Sequence, residues 1–140
     1  MEKPEINILW VEDNLGDILL IQEAFEKVQL NYRLHVVSDG IEAMDFLQRK
    51  GRFARAAKPD LIILDLRLPR KTGSEVIREM KADPELAGIP LVVLSGIPDR
   101  KNILGGMDPK RCLYLNKPAS LADIEELARK IHDFWLALTV

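Results

Sequence analysis

Asp60-Leu61-Ile62-Ile63-Leu64-Asp65 is a run of four apolar residues bounded by two aspartates. Leucine and isoleucine with no polar residue between them suit a strand covered on both faces, as in parallel sheets. Pro59 stops the chain before the run, which is too short for a helix. Two other stretches read the same way: Ile6-Asn7-Ile8-Leu9-Trp10-Val11, and Ile89-Pro90-Leu91-Val92-Val93-Leu94. Residues 32–37 alternate and contain Val36 and Val37, and residues 112–115 add a fifth strand. Helix-period segments lie between them. Residues 15–28 place Leu15, Ile18, Leu19, Ile21 and Phe25 on one face, with Asp13 or Asn14 as cap. Ser38-Asp39-Gly40 is a turn before a helix over 41–49. A third helix runs over 74–82 and stops at Asp83-Pro84, and the last runs over 120–138. Successive βα units of this kind make a doubly wound, five-stranded parallel α/β sheet.

The whole chain is consistent with one such domain. It has 140 residues, 47% hydrophobic and 30% charged, the mix of a folded globular protein. Lys and Arg number 20 against 22 Asp and Glu, a net charge of −2, so there is no positive field for non-specific nucleic-acid binding. One cysteine, Cys112, excludes an internal disulfide and fits a reducing compartment. No apolar run approaches the ~18 residues of a membrane span. Residues 1–11 lack the apolar stretch of a signal peptide, and Glu12 and Asp13 follow at once. The expectation is a cytoplasmic single domain over 1–140, its core at about 6–136, with no output domain and no membrane contact. Arg52, Arg55 and Lys58 read as a solvated basic loop.

Ligands of doubly wound sheets sit beyond the carboxyl ends of the strands, where strand order reverses. Strand one ends in Glu12-Asp13, strand three in Asp65, strand four in Ser95 and strand five in Asn116-Lys117-Pro118. Singly, each has an ordinary explanation: acids capping a helix, a Ser-Gly turn, a Lys-Pro turn. Their joint placement points to chemistry. Crowded carboxylates repel, and a divalent cation relieves the repulsion. Oxygen donors without His or Cys favour a hard ion such as Mg²⁺. Lys117 supplies a point charge and Ser95 a hydroxyl, which with a nucleophilic carboxylate suits phosphoryl transfer. Glu12, Asp13, Asp65 and Lys117 together carry the entire net charge of −2. Taken alone, Tyr114 reads as a half-buried packing residue and Cys112 as a buried thiol. His35 and His132 lie away from the acids, and Trp10 reads as core or edge packing.

Val11-Glu12-Asp13-Asn14, Leu64-Asp65-Leu66-Arg67-Leu68-Pro69 with Gly73, Ser95, and Tyr114-Leu115-Asn116-Lys117-Pro118 together resemble the receiver domain of two-component response regulators. The Asp65–Ser95 and Ser95–Lys117 intervals of thirty and twenty-two residues are similar to that family's. The stretch from Val11 to Ile21 and the Phe134-Trp135-Leu136 ending resemble the small stand-alone regulators that serve phytochrome-type histidine kinases. The resemblance implies a flavodoxin-like (βα)5 fold with strand order 2-1-3-4-5. It implies that Asp65 is the phosphoacceptor for a phosphohistidine of a partner sensor histidine kinase. Asp13, Asp65 and the backbone carbonyl of Arg67 would ligate Mg²⁺, with Glu12 acting through water. Lys117 would contact the phosphoryl group, across a cis bond to Pro118. Ser95 and Tyr114 would be the switch pair that converts phosphorylation into altered packing.

Two positions depart from the family pattern. Arg67 is large and basic, and its place two residues after the acceptor would set it over the phosphoryl group. Residues 97–111 contain Pro98, Gly105, Gly106 and Pro109, and glycine and proline cost about 1 and 3 kcal/mol in a helix interior. The fourth helix is therefore expected to be short or poorly ordered, confined to 99–104. Phe134, Trp135 and Leu138 near the end of the fifth helix would serve either core packing or a homodimer through the helix-five face. Two other functions compete. A phosphohydrolase would need a second acid two residues after its nucleophile, where this chain has Arg67. A degenerate receiver acting as an unphosphorylated adaptor would not need Glu12, Asp13, Asp65, Ser95 and Lys117. A dinucleotide oxidoreductase is disfavoured because no Gly-x-Gly-x-x-Gly follows strand one.

Overall fold

The computed structural model describes residues 5–12, 14–66, 70–95 and 109–138. Five parallel strands, β1 (Ile6–Val11), β2 (Tyr32–Val37), β3 (Leu61–Asp65), β4 (Leu91–Ser95) and β5 (Cys112–Asn116), form one sheet in the order β2-β1-β3-β4-β5. Strand order and the parallel, doubly wound class agree with expectation. Helices α1 (Leu15–Lys27), α2 (Gly40–Leu47) and α3 (Gly73–Ala82) follow the first three strands, and a C-terminal helix (Leu121–Leu138) follows β5. The region of the expected short fourth helix lies outside the described residues. None of the described helices is long and apolar enough to cross a membrane.

The alternation along β1 divides the core. Leu9 and Val11 face α2 and α3, joining Val37, Met44, Phe46, Val76, Ile77 and Met80. Ile6, Ile8 and Trp10 face α1 and the C-terminal helix, joining Ile21, Phe25, Ile124, Leu127 and Ile131. Central β3 is buried along its whole length, which is why its sequence has no polar side chain between Asp60 and Asp65. Trp10 is therefore core, and Cys112 is only partly buried against the α2–α3 side. Phe134 and Trp135 pack, partly buried, against the α1 side.

Local chemistry sets the element ends. Asn14 caps α1 by accepting from Asp17 N at 3.1 Å. Thr72 and Glu75 form a reciprocal capping box at α3. β4 starts at Leu91, two residues later than expected, because Pro90 has no N–H to give the ladder; its carbonyl still accepts from Ile62 N at 3.0 Å. The basic loop contains a single 3-10 turn, Gly51–Phe53. Arg52 there pairs with Glu42 and lies over the Phe53 ring, 4.6 Å from its centroid.

Candidate functional site

Parallel register builds the site. Val11 is level with Leu64 and Asp65 with Leu94, so Glu12 and Asp65 emerge side by side as β1 and β3 end. Ser95 is level with Asn116, which sets Lys117 one step beyond the sheet edge. β1 lies between β2 and β3, so this edge is the point at which strand order reverses. A polar site is expected there on topology alone.

Both described acids are sequestered: Glu12 and Asp65 are each 3% exposed. Glu12 Oε1 accepts from Asn14 N at 3.2 Å, and the Glu12 amide donates to Val37 O at 2.9 Å. Lys117 Nζ donates to Asp65 Oδ2 at 2.6 Å. That hydrogen bond raises the Lys117 pKa above its ordinary 10.5. Partial burial opposes the shift, and the charges of Asp65, Glu12 and Asp17 add to it. Lys117 is therefore an ammonium at neutral pH, with its side chain 41% exposed and its head on a buried carboxylate.

Close backbone packing holds the end of β3. A Cβ on Gly73 would lie 2.7 Å from Asp65 O and from Leu66 Cα, so only glycine lets α3 begin this close to Asp65. Leu66 N donates to Leu94 O at 3.1 Å and Gly73 N to Leu66 O at 3.3 Å. The start of α3 is thereby hydrogen-bonded back to the residue that follows Asp65.

Of the expected site residues, Glu12, Asp65 and Lys117 come together. Ser95 ends β4 on the same edge. Tyr114 is buried, 8% exposed, in the α2–α3 core. Asp13 and Arg67 lie outside the described residues, so the described residues alone form no cluster of three ligating side chains. The Lys117–Pro118 bond is trans, as are all described peptide bonds, where the resemblance implies cis. Trans is the lower-energy form of an X-Pro bond by about 0.5–1 kcal/mol. His35 is remote, level with Leu9 on β2 and 3.2 Å from Asn7 Oδ1. Sequence reasoning missed Asp17, whose charge acts on Lys117. Its position three residues after the cap Asn14, in the first turn of α1, was the available signal.

The donors present fit a hard divalent cation. They are buried carboxylate oxygens, with no His or Cys among the described residues at this edge, and with one lysine against at least two acids. Fold and site together define an α/β domain with an acid–lysine site at its topological switch point. Residues 8–129 match the family model of the response regulator receiver domain. The response regulator Rcp1 of Synechocystis sp. is 37% identical over 129 residues, covering 92% of this chain and 88% of that protein. The crystal structure of the phosphorylated cyanobacterial phytochrome response regulator RcpA superposes with a TM-score of 0.81 at 41% identity, covering 95% of each chain. The Mn²⁺-bound form of Rcp1 superposes at 0.80 with 36% identity, covering 94% of each. The chain belongs to the response regulator receiver domain family. It is a signalling protein of the two-component type.

Proposed function

We propose that the chain accepts a phosphoryl group on Asp65 from the phosphohistidine of a phytochrome-type sensor kinase in the cytoplasm, and signals through its own surface. The observation that carries this reading is the Lys117 ammonium on the buried Asp65 carboxylate at 2.6 Å, beside buried Glu12. In the transfer an Asp65 carboxylate oxygen attacks phosphorus, the P–O bond forms, the P–N bond to imidazole breaks, and the imidazole leaves. Lys117 neutralises charge on the equatorial oxygens and holds Asp65 in place. Asp13, Asp65 and the Arg67 carbonyl would hold Mg²⁺, with Glu12 acting through water. When bound, the ion would supply electrostatic neutralisation of the transferring group. Ser95 and Tyr114 would form the switch, a pre-existing two-state equilibrium that phosphorylation biases. Tyr114 is supported in this role by lying in the core with its neighbours Leu115 to Pro118 around a 290 Å³ pocket against the C-terminal helix. A homodimer through the C-terminal helix is part of the same proposal.

The test is intact mass after incubation with Mg²⁺ and a small phosphodonor. Wild type gains one phosphoryl group and Asp65→Asn gains none. Sustained hydrolysis of phosphate esters would favour a phosphohydrolase instead. A wild-type chain left unmodified even by a kinase would favour the adaptor.

A further inference from the structure

We infer that the indole N–H of Trp10 donates to one internal water molecule, held in a small cavity beside the acid–lysine site, and that this water joins Trp10 to the Glu12 carboxylate. Trp10 is thus a positioning residue for Glu12, acting through the water. Trp10 is 3% exposed, and among the described residues its Nε1 has no hydrogen-bond partner. An indole nitrogen can only donate. A buried donor left without an acceptor is costly, so such groups are nearly always paired with protein or with ordered water. The ring packs on the α1 side of the core with Ile8, Ile21 and Leu94. That packing alone has no need of the nitrogen.

A cavity adjoins the ring. Its walls include Trp10, Glu12, Asp17 and Lys117, with Ile21 and Leu94 among the apolar residues that close it. The space open to the centre of a water molecule is about 10 Å³. That is roughly the room one water needs, and it is too little for a larger ligand. The pleat of β1 explains why indole and acid share this space. Side chains alternate along a strand, so Trp10 and Glu12, two residues apart, project from the same face. The charges of Glu12 and Asp17 both act on Lys117, so the polar heads lie within electrostatic reach of one another.

Water is the occupant whose chemistry fits. It accepts the indole proton and offers two of its own to carboxylate oxygens. A cation could not accept the indole proton, and an anion would meet the negative charges of Glu12 and Asp17. Glu12 is then held from two sides. Its Oε1 accepts from Asn14 N at 3.2 Å, and the water fixes the carboxylate from the core. The water site requires neither a bound cation nor a phosphoryl group.

The test uses the full chain without metal or phosphodonor. A crystal structure that shows ordered solvent should place one water about 3 Å from Trp10 Nε1 and within hydrogen-bond reach of Glu12. In Trp10→Phe, which keeps an aromatic ring and removes the donor, that water should no longer be ordered. In solution, the side-chain carboxyl carbon of Glu12 should shift in Trp10→Phe by more than its line width. The carboxyl carbon of Asp39, buried at the start of α2, should stay in place. If Trp10→Phe fails to fold, benzothienylalanine at residue 10 puts sulfur in place of the N–H at nearly unchanged volume and should give the same two results. A wild-type Nε1 that donates to a protein atom, or a dry cavity, overturns the water site. An ordered water with an unmoved Glu12 signal overturns the positioning role, as does an equal shift at Asp39.

Discussion

Lys117 shows what one residue contributes. Its ammonium neutralises part of the charge that Glu12 and Asp65 bring to the edge, and the hydrogen bond to Asp65 raises its pKa above 10.5. A group whose pKa is raised on folding stabilises the fold fully below its unfolded value and loses that contribution as pH rises through its folded value. The stability difference between wild type and Lys117→Met should therefore stay constant from neutral pH to 10.5 and narrow above it. Urea unfolding across that range checks this, and a difference that changes below 9, or about 1.5 pH units short of the ordinary value, contradicts the pairing. The pair was legible in the sequence because each member ends a recognisable strand. The Asp39–Arg70 ion pair was not. Its members sit in turns thirty-one residues apart, and neither apolar periodicity nor a motif links them. The close approach of the residue 71 backbone to Gly40 brings them together.

Element boundaries follow from caps and ladders that periodicity does not resolve. The apolar pattern put the start of α3 at residue 74, whereas the Thr72–Glu75 capping box starts it at Gly73. Thr72→Ala removes the cap acceptor and should lower stability by about 1 kcal/mol, read as a lower urea midpoint at unchanged slope. An unchanged midpoint would mean that tertiary contacts alone set this helix start. The strands were more legible than the helices. Buried β3 declares itself as an unbroken apolar run, and β1 and β2, the latter a partly exposed edge strand, span the residues expected of them. Pro90 moved the start of β4 for the plain reason that it cannot donate a ladder bond.

At the scale of the molecule, topology does most to make the site. A sheet ordered β2-β1-β3-β4-β5 delivers Glu12, Asp65, Ser95 and Lys117 to one edge without any of them being neighbours in sequence. That convergence was readable from strand ends alone, since parallel strands all finish on the same side. The opposite end of the molecule was less legible. Phe134 and Trp135 pack against the core, while Leu136 is exposed on the same helix. A dimer through this helix is therefore better tested at Leu136 than at Trp135, whose truncation would also damage packing. Sedimentation at several concentrations should show wild type gaining mass with concentration and Leu136→Asp staying at the monomer mass. Identical profiles would remove this face from the assembly.

The carboxylate under Lys117 is the proposed phosphoryl acceptor. The most direct measurement locates the group. The chain is incubated with Mg²⁺ and a small phosphodonor, treated with borohydride to reduce the acyl phosphate to a stable alcohol, and sequenced by peptide mass spectrometry. Asp65 alone should be converted, only when both Mg²⁺ and donor are present. Conversion at Glu12 or Asp13, or equal conversion of Asp65 without Mg²⁺, would contradict it.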